Sequence, residues 1–236
     1  WIGADHVTAL LPFAADQSEE ATYSFYINQT FQGRAAGRIV ADSLEHHATD
    51  DDALQLVQSL DWIGPSEWGA PSGRKVAREL RTTSIRFVDG DSENQAAFLV
   101  DVTSELSPTE WTLRIGPTRH AFFGIRLVEP LRPALGGRLA DPSGPVSVAD
   151  IVGQPGPWLQ ASAEVVAGHT AGIVVVRDSE TAEMPWSLHE WGTIDVNPLG
   201  SLARELTEGD TLTCRLRLLV HDGLYTPEQI DQLVRL

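Results

Sequence analysis

Apolar residues in this chain recur at every second position in short runs, and each run ends within about a dozen residues at glycine, proline or aspartate. That period of two is the pattern of strands with one face in a core and one in solvent. Tyr23, Phe25 and Ile27 alternate, as do Phe98, Val100 and Val102, and Trp111, Leu113 and Ile115. Leu54 to Trp62 sets Leu54, Leu56, Leu60 and Trp62 on one face, interrupted by Gln58, and leaves directly into Gly64-Pro65. Arg74 to Val88 carries charge at many positions, as an exposed strand does. Further strands are expected at Ala121 to Val128, Trp158 to Val165, Gly172 to Arg177, Trp186 to Val196 and Leu212 to Val220.

Turn signals separate these runs: Gly69-Ala-Pro-Ser-Gly, Asp89-Gly-Asp, Gly136-Gly137, Asp141-Pro-Ser-Gly-Pro and Gly153-Gln-Pro-Gly-Pro. No fixed repeat links the segments, which argues against a propeller or solenoid. One helix start stands out near the end, where Thr226 can cap, Pro227 suits the first position and Gln229 completes a capping box. The expectation is a single all-β domain over residues 1–236, a large antiparallel β-sandwich with a short C-terminal helix; a galactose-mutarotase-like supersandwich is one form it can take.

Composition narrows the partners. A net charge of −16 lacks the clustered Lys and Arg that nucleic acid or an anionic membrane demands, so a neutral or small ligand is expected. Cys214 is the single cysteine and sits in an alternating run, a core thiol rather than a disulfide or metal ligand. No apolar run reaches membrane-span length and no signal segment opens the chain, so the default location is cytoplasmic, although the first residue is Trp1 and not Met. Glycine-rich phosphate loops, GxSxG, HExxH and EF-hand patterns are absent.

The chemistry-bearing residues are sparse. His46 and His47 beside Asp50, Asp51 and Asp52 offer metal-ligand types, yet neighbours on a strand point opposite ways, and a solvated acidic turn is the simpler reading. His120 lies six residues before Arg126, and an extended strand would put both on one face, where imidazole and guanidinium can meet an oxygen-rich ligand. A strand cap at His120 and an Arg126–Glu129 ion pair fit the same residues. In a regular strand from Trp186 to Val196, Ser187, His189, Trp191 and Thr193 share one face and Trp186 and Leu188 the other. An aromatic plate beside an imidazole suits a sugar ring and its hydroxyls, while two core tryptophans around a buried histidine fit equally. Asp5-His6 and His221-Asp222 each pair an imidazole with a carboxylate, His221 before a turn-forming Asp-Gly; Asn197-Pro198 stops its strand, and His169 reads as a loop residue.

Taken in order, Trp68-Gly-Ala-Pro-Ser-Gly-Arg, Arg78-Glu-Leu-Arg-Thr, Gly116-Pro-Thr-Arg-His, Phe123-Gly-Ile-Arg-Leu, Gly136-Gly, Pro157-Trp, Ala171-Gly-Ile, Pro185-Trp, Trp191-Gly, Asn197-Pro and His221-Asp-Gly resemble the PmoA-like family of unknown function. The resemblance runs from about Trp62 to Gly223. It implies a large antiparallel β-sandwich and, in many bacteria, a setting among sugar oxidoreductases and isomerases. The oxygenase in that family's name is not implied, because neither spanning helices nor a metal cluster are encoded here. Two departures are visible: the family's histidine-rich segment is reduced to Asp5-His6-Val7-Thr8, and His189 stands where members carry arginine.

These features lead to one expected function and one rival. The first is a carbohydrate-processing protein acting on a sugar or keto sugar by proton transfer, a lyase, isomerase or hydrolase step, with His120 and His189 catalytic and Arg126, Trp191, Asn197 and His6 binding substrate. No metal is assigned and no cofactor is identified. The rival is a non-catalytic carbohydrate-binding or structural subunit, as a homo-oligomer or with a partner subunit.

Overall fold

The computed structural model describes residues 2–14, 17–30, 33–49, 52–89, 96–118, 122–179 and 181–234. Strands among them are β1 Val7–Ala14, β2 Gln17–Ser24, β3 Ala35–Ala36, β4 Arg38–Ala48, β5 Leu54–Ile63 and β6 Lys75–Asp89. There follow β7 Ala96–Pro108, β8 Thr112–Ile115, β9 Phe123–Arg126, β10 Arg138–Asp141, β11 Gly144–Val146 and β12 Trp158–Val166. The rest are β13 His169–Arg177, β14 Ser187–His189, β15 Thr193–Val196, β16 Arg204–Leu206 and β17 Leu212–Asp222. Two 3-10 turns, Glu129–Leu131 and Pro133–Leu135, one α-helical turn, α1 Val148–Ile151, and the terminal helix α2 Pro227–Val234 complete the order. None of the helices among the described residues is long and apolar enough to cross a membrane.

Three sheets form. A nine-stranded sheet runs β11-β10-β12-β13-β17-β7-β6-β5-β4, a five-stranded sheet runs β16-β8-β1-β2-β3, and a three-stranded sheet runs β14-β15-β9. Pairing is antiparallel throughout, except between β2 and the short β3. The main core lies where the inner face of the large sheet meets the two smaller ones: Trp62, Leu106, Leu159 and Leu216 from the first pack in one cluster with Val7, Leu113 and Ile115 and with Phe123, Leu188 and Ile194. The chain is thus the expected all-β sandwich. Cys214 is buried in this core, also as expected.

The other face of the large sheet has its own apolar cluster, in which Leu99, Trp158, Val174 and Leu219 meet Tyr225 and Ile230. The helix α2 supplies Ile230, and its start is the reciprocal cap that Thr226 and Gln229 promise: Gln229 N donates to Thr226 Oγ1 at 3.3 Å and Thr226 N to Gln229 Oε1 at 3.0 Å.

Two expected faces are buried over only part of their length. On β5, Leu60 and Trp62 are core, but Leu54 is 43% exposed, and on β7 Phe98 is 48% exposed. The alternation is as expected; these ends of the long strands lie beyond the reach of the covering sheets. Asp89-Gly-Asp falls at the edge of, and Asp50 and Asp51 fall within, stretches outside the described residues.

A charged group is embedded where the core begins. Glu79 on β6 has no exposed surface and is held by Trp62 Nε1 at 2.9 Å, Ser104 Oγ at 2.8 Å and the guanidinium of Arg81 through Nε at 2.8 Å and Nη2 at 3.0 Å. Arg81 sits two residues along the same strand, hence on the same face. Removing it strands a buried carboxylate, so Arg81→Leu is expected to destabilise by about 3 kcal/mol or more in denaturant unfolding, and adding Glu79→Gln to recover part of that loss. A single-variant effect within about 0.5 kcal/mol would show that the charge is solvated after all.

Candidate functional site

Trp186 to Val196 is not one strand. It folds back as a hairpin, with β14 and β15 joined by Glu190, Trp191 and Gly192. His189 pairs with Thr193, Gly192 N donates to His189 O at 2.8 Å, and Gly192 sits at φ 90°. This is a three-residue hairpin loop closed by a residue in the left-handed region, which glycine adopts without strain. Glycine is needed twice over, because a Cβ there would come within 2.6 Å of the Arg132 side chain.

The hairpin pairs through β15 with β9, and the register sorts the side chains. Ser187, Asp195 and Gly124 lie in one row, and His189, Thr193 and Arg126 in the next. Both rows face the same side, because directly paired residues and those two apart on a strand share a face. The other face carries Leu188, Ile194, Ile125, Val196 and Phe123 into the core. A small sheet with one apolar and one polar face is the result.

Over the polar face stands a three-membered stack. The His189 and Trp191 rings are 5.3 Å apart and inclined by only 8°, and the Arg126 guanidinium is 5.4 Å from the Trp191 ring. His189 and Arg126 are separated by two strand spacings, roughly 10 Å. The indole therefore sits between them, above Thr193, and Thr193 has no exposed surface although its strand face points away from the core. Trp191 itself is 47% exposed. Cation–π attraction favours this position of the guanidinium.

Beside the stack is a buried acid. Asp195 is 2% exposed, and its Oδ1 accepts a 3.3 Å hydrogen bond from the hydroxyl of Tyr26, which arrives just after β2. Asp195 Oδ2 and Thr193 Oγ1 are both buried with no hydrogen-bond partner among the described residues. Burial pushes the Asp195 carboxyl up to about 6, against a smaller lowering by the Tyr26 hydroxyl. Burial also raises the Tyr26 phenol well above its ordinary value, helped by the charges of Asp195 and Asp5. Tyr26 is thus held as a proton donor, and Asp195 is poised to exchange a proton near neutrality. Asp5, 5% exposed, is fixed by Ser24 Oγ at 3.0 Å and Arg34 Nη2 at 2.8 Å.

A family profile matches residues 1–235, almost the entire chain, and is described as a family of unknown function, DUF6807. The chain belongs to DUF6807. No curated protein and no solved structure matches it.

In this DUF6807 chain the fold unites three of the six residues singled out in the sequence, Arg126, His189 and Trp191. His120 lies outside the described residues, so its relation to Arg126 is not part of the geometry. Asn197 is committed to its own turn: Nδ2 donates to Thr118 O at 2.6 Å and Gly200 O at 3.2 Å, and Oδ1 accepts from Leu199 N at 2.9 Å. Nor is the Asp5-His6 pair formed as expected. The Asp5 carboxylate turns to Ser24 and Arg34, while half-buried His6 contributes its carbonyl to Gly116 N at 2.8 Å.

The remaining histidines also separate. His46 and His47 are exposed on β4, and the described residues contain no group of three or more potential metal ligands. His169 opens β13 rather than lying in a loop, with Nε2 3.2 Å from Asp222 Oδ1, and His221 is buried within β17. Thr193 lies on the face expected for it, and Asp195 and Tyr26 are the residues sequence reasoning missed. Asp195 could have been found from the alternation Thr193-Ile-Asp-Val, which puts two polar groups on the face opposite two core positions. Nothing local marks Tyr26, which meets Asp195 across 169 residues.

The raised Asp195 value has a definite consequence for stability. The folded carboxyl keeps its proton to about pH 6 and the unfolded one loses it near 3.8, so stability falls as pH rises between these values and stays lower above them. A shift of this size corresponds to at most about 3 kcal/mol. Asp195→Asn is expected to abolish that loss, moving stability relative to the parent protein in the variant's favour between pH 4 and pH 7. Parallel pH dependences in the two proteins would contradict it.

Proposed function

We propose that this protein processes a sugar or oxidised keto sugar by proton transfer at a carbon next to a carbonyl, on the polar face of the β14-β15-β9 sheet. The observation that carries the reading is the pairing of an acid poised near neutrality, Asp195, whose Oδ2 has no hydrogen-bond partner among the described residues, with a cation, an imidazole and an indole on the same face. The resemblance to the PmoA-like family, with its sugar-enzyme setting, and the acidic, phosphate-averse surface belong to the same proposal.

In this reading Asp195 accepts the proton released from carbon. The electron pair of the broken C–H bond moves into a new C=C bond, and the carbonyl oxygen becomes an enolate oxygen, which Arg126 stabilises. The enolate then either takes up the proton of the α-hydroxyl on its oxygen and regains the carbon-bound proton from Asp195 at the former carbonyl carbon, as the α-carbon becomes the new carbonyl, an isomerisation, or re-forms its carbonyl and expels a substituent with its bonding pair from the β-carbon, an elimination. Tyr26 keeps a proton on Asp195's side of the site, and His189 with the exposed part of Trp191 borders the ring. This moves the proton-transfer role from the histidines to Asp195.

The rival, a non-catalytic carbohydrate-binding subunit, is favoured by the contrast between an exposed stack and an enclosed carboxyl. A panel of keto sugars with product analysis separates the two. Asp195→Asn is expected to lower kcat by about 100-fold or more, and Trp191→Ala to raise KM with a smaller change in kcat. Turnover undiminished in Asp195→Asn removes the catalytic assignment, and calorimetric sugar binding without product establishes the rival.

A further inference from the structure

The outer face of the nine-stranded sheet changes character along β12. Trp158 is buried under α2, with its Nε1 donating to Asp231 Oδ1 at 2.8 Å, and Val174 and Leu219 lie beside it. Two and four residues further on, the same face presents Gln160 and Ser162, each 5% exposed, and across the sheet His221, 2% exposed. The helix covers only the apolar half of this face. Above the polar half lies a hollow of about 590 Å³, walled by Tyr225 and by the β10–β11 hairpin, with Arg138 and Glu190 at its rim.

The floor of this hollow is built from polar side chains. Gln160 Nε2 and His221 Nε2 are 3.0 Å apart, so half of the amide is engaged by the ring. Gln160 and Ser162 both line the hollow, where the rest of the amide and the hydroxyl face its space. The sheet also gives up a side chain to house the imidazole, since a Cβ on Gly172 would come within 2.6 Å of the His221 ring. Burial lowers the His221 pKa, which keeps the ring neutral. The hollow therefore offers the neutral donors and acceptors of Gln160 and Ser162, with His221 behind Gln160, and one residue of each charge, Arg138 and Glu190, on its lining.

We propose that this hollow is a binding site for a neutral polyhydroxylated small molecule of monosaccharide size, separate from the polar face of β14-β15-β9. Hydroxyl groups both donate and accept, which matches an amide and a serine, and the volume falls within the usual range for small-molecule pockets. Arg138 is the one cation and Glu190 the one carboxylate on the lining, so the hollow carries no net charge that would favour an anion. The site stands independently of the chemistry assigned to Asp195.

The test is a titration of the isotope-labelled full chain with myo-inositol and with D-glucose, following the side-chain amide of Gln160 and the ring of His221 by NMR. A saturable shift of both is expected. Ser162→Ala, which removes one oxygen, should weaken it about threefold or more, and Ser162→Leu, which fills the hollow, about tenfold or more. Asp195→Asn should leave it unchanged, so loss of the catalytic reading and loss of this one are told apart. The absence of a saturable shift with both compounds overturns the proposal, as does undiminished affinity in Ser162→Ala.

Discussion

A strand has two faces, and in this protein only one face of each smaller sheet can be given to the core. On β15 the constraint is at its tightest: Ile194 and Val196 go inward, so Thr193 and Asp195 are placed outward in fixed register with β14 and β9. The positions of Arg126, His189, Thr193 and Asp195 follow from that alternation. Arg126 and His189 are neighbours of Thr193 by pairing, and Trp191 is delivered between them by the three-residue loop that closes the hairpin.

The energetics of the face are uneven. The stack above it gains from cation–π and ring contacts of modest size, each about 1 kcal/mol. Asp195 is the expensive member, because ionising it without water opposes folding, and one hydroxyl from Tyr26 offsets only part of that cost. A carboxyl that merely supported the fold would be better replaced by an apolar residue. Contrast Glu79, equally enclosed, whose oxygens are held by a tryptophan, a serine and a bidentate arginine. Glu79 is a satisfied structural charge; Asp195 is a charge kept under tension.

Much of the fold was legible in the sequence because period-two alternation and turn residues are local signals. The strands around Trp62, Leu113, Trp158 and Cys214 and the Thr226 cap all follow from them. The hairpin at Gly192 is marked only by Glu190 and Gly192, which interrupt the apolar row of Trp186, Leu188, Ile194 and Val196, and so weak a break reads equally as one continuous strand. The shared face of Ser187, His189 and Thr193 is nevertheless as expected, because a three-residue loop brings residue 189 opposite residue 193 and restores the parity. Trp191 reaches the same face from the loop and not from a strand. What was illegible was long-range: Tyr26 on Asp195, Ser24 and Arg34 on Asp5, and Thr118 on Asn197 all join segments far apart in the chain.

The claim on which the functional account turns is that Asp195 holds its proton far above the pH at which an ordinary carboxyl releases it. Carbon-detected NMR titration of the Asp195 side chain measures this directly, in the native protein and in Tyr26→Phe. The account predicts a midpoint of about 6 in the native protein, and a higher one when the hydrogen bond that favours the anion is removed. A midpoint near the ordinary 3.8, unchanged by Tyr26→Phe, would show a solvated carboxylate and contradict the account.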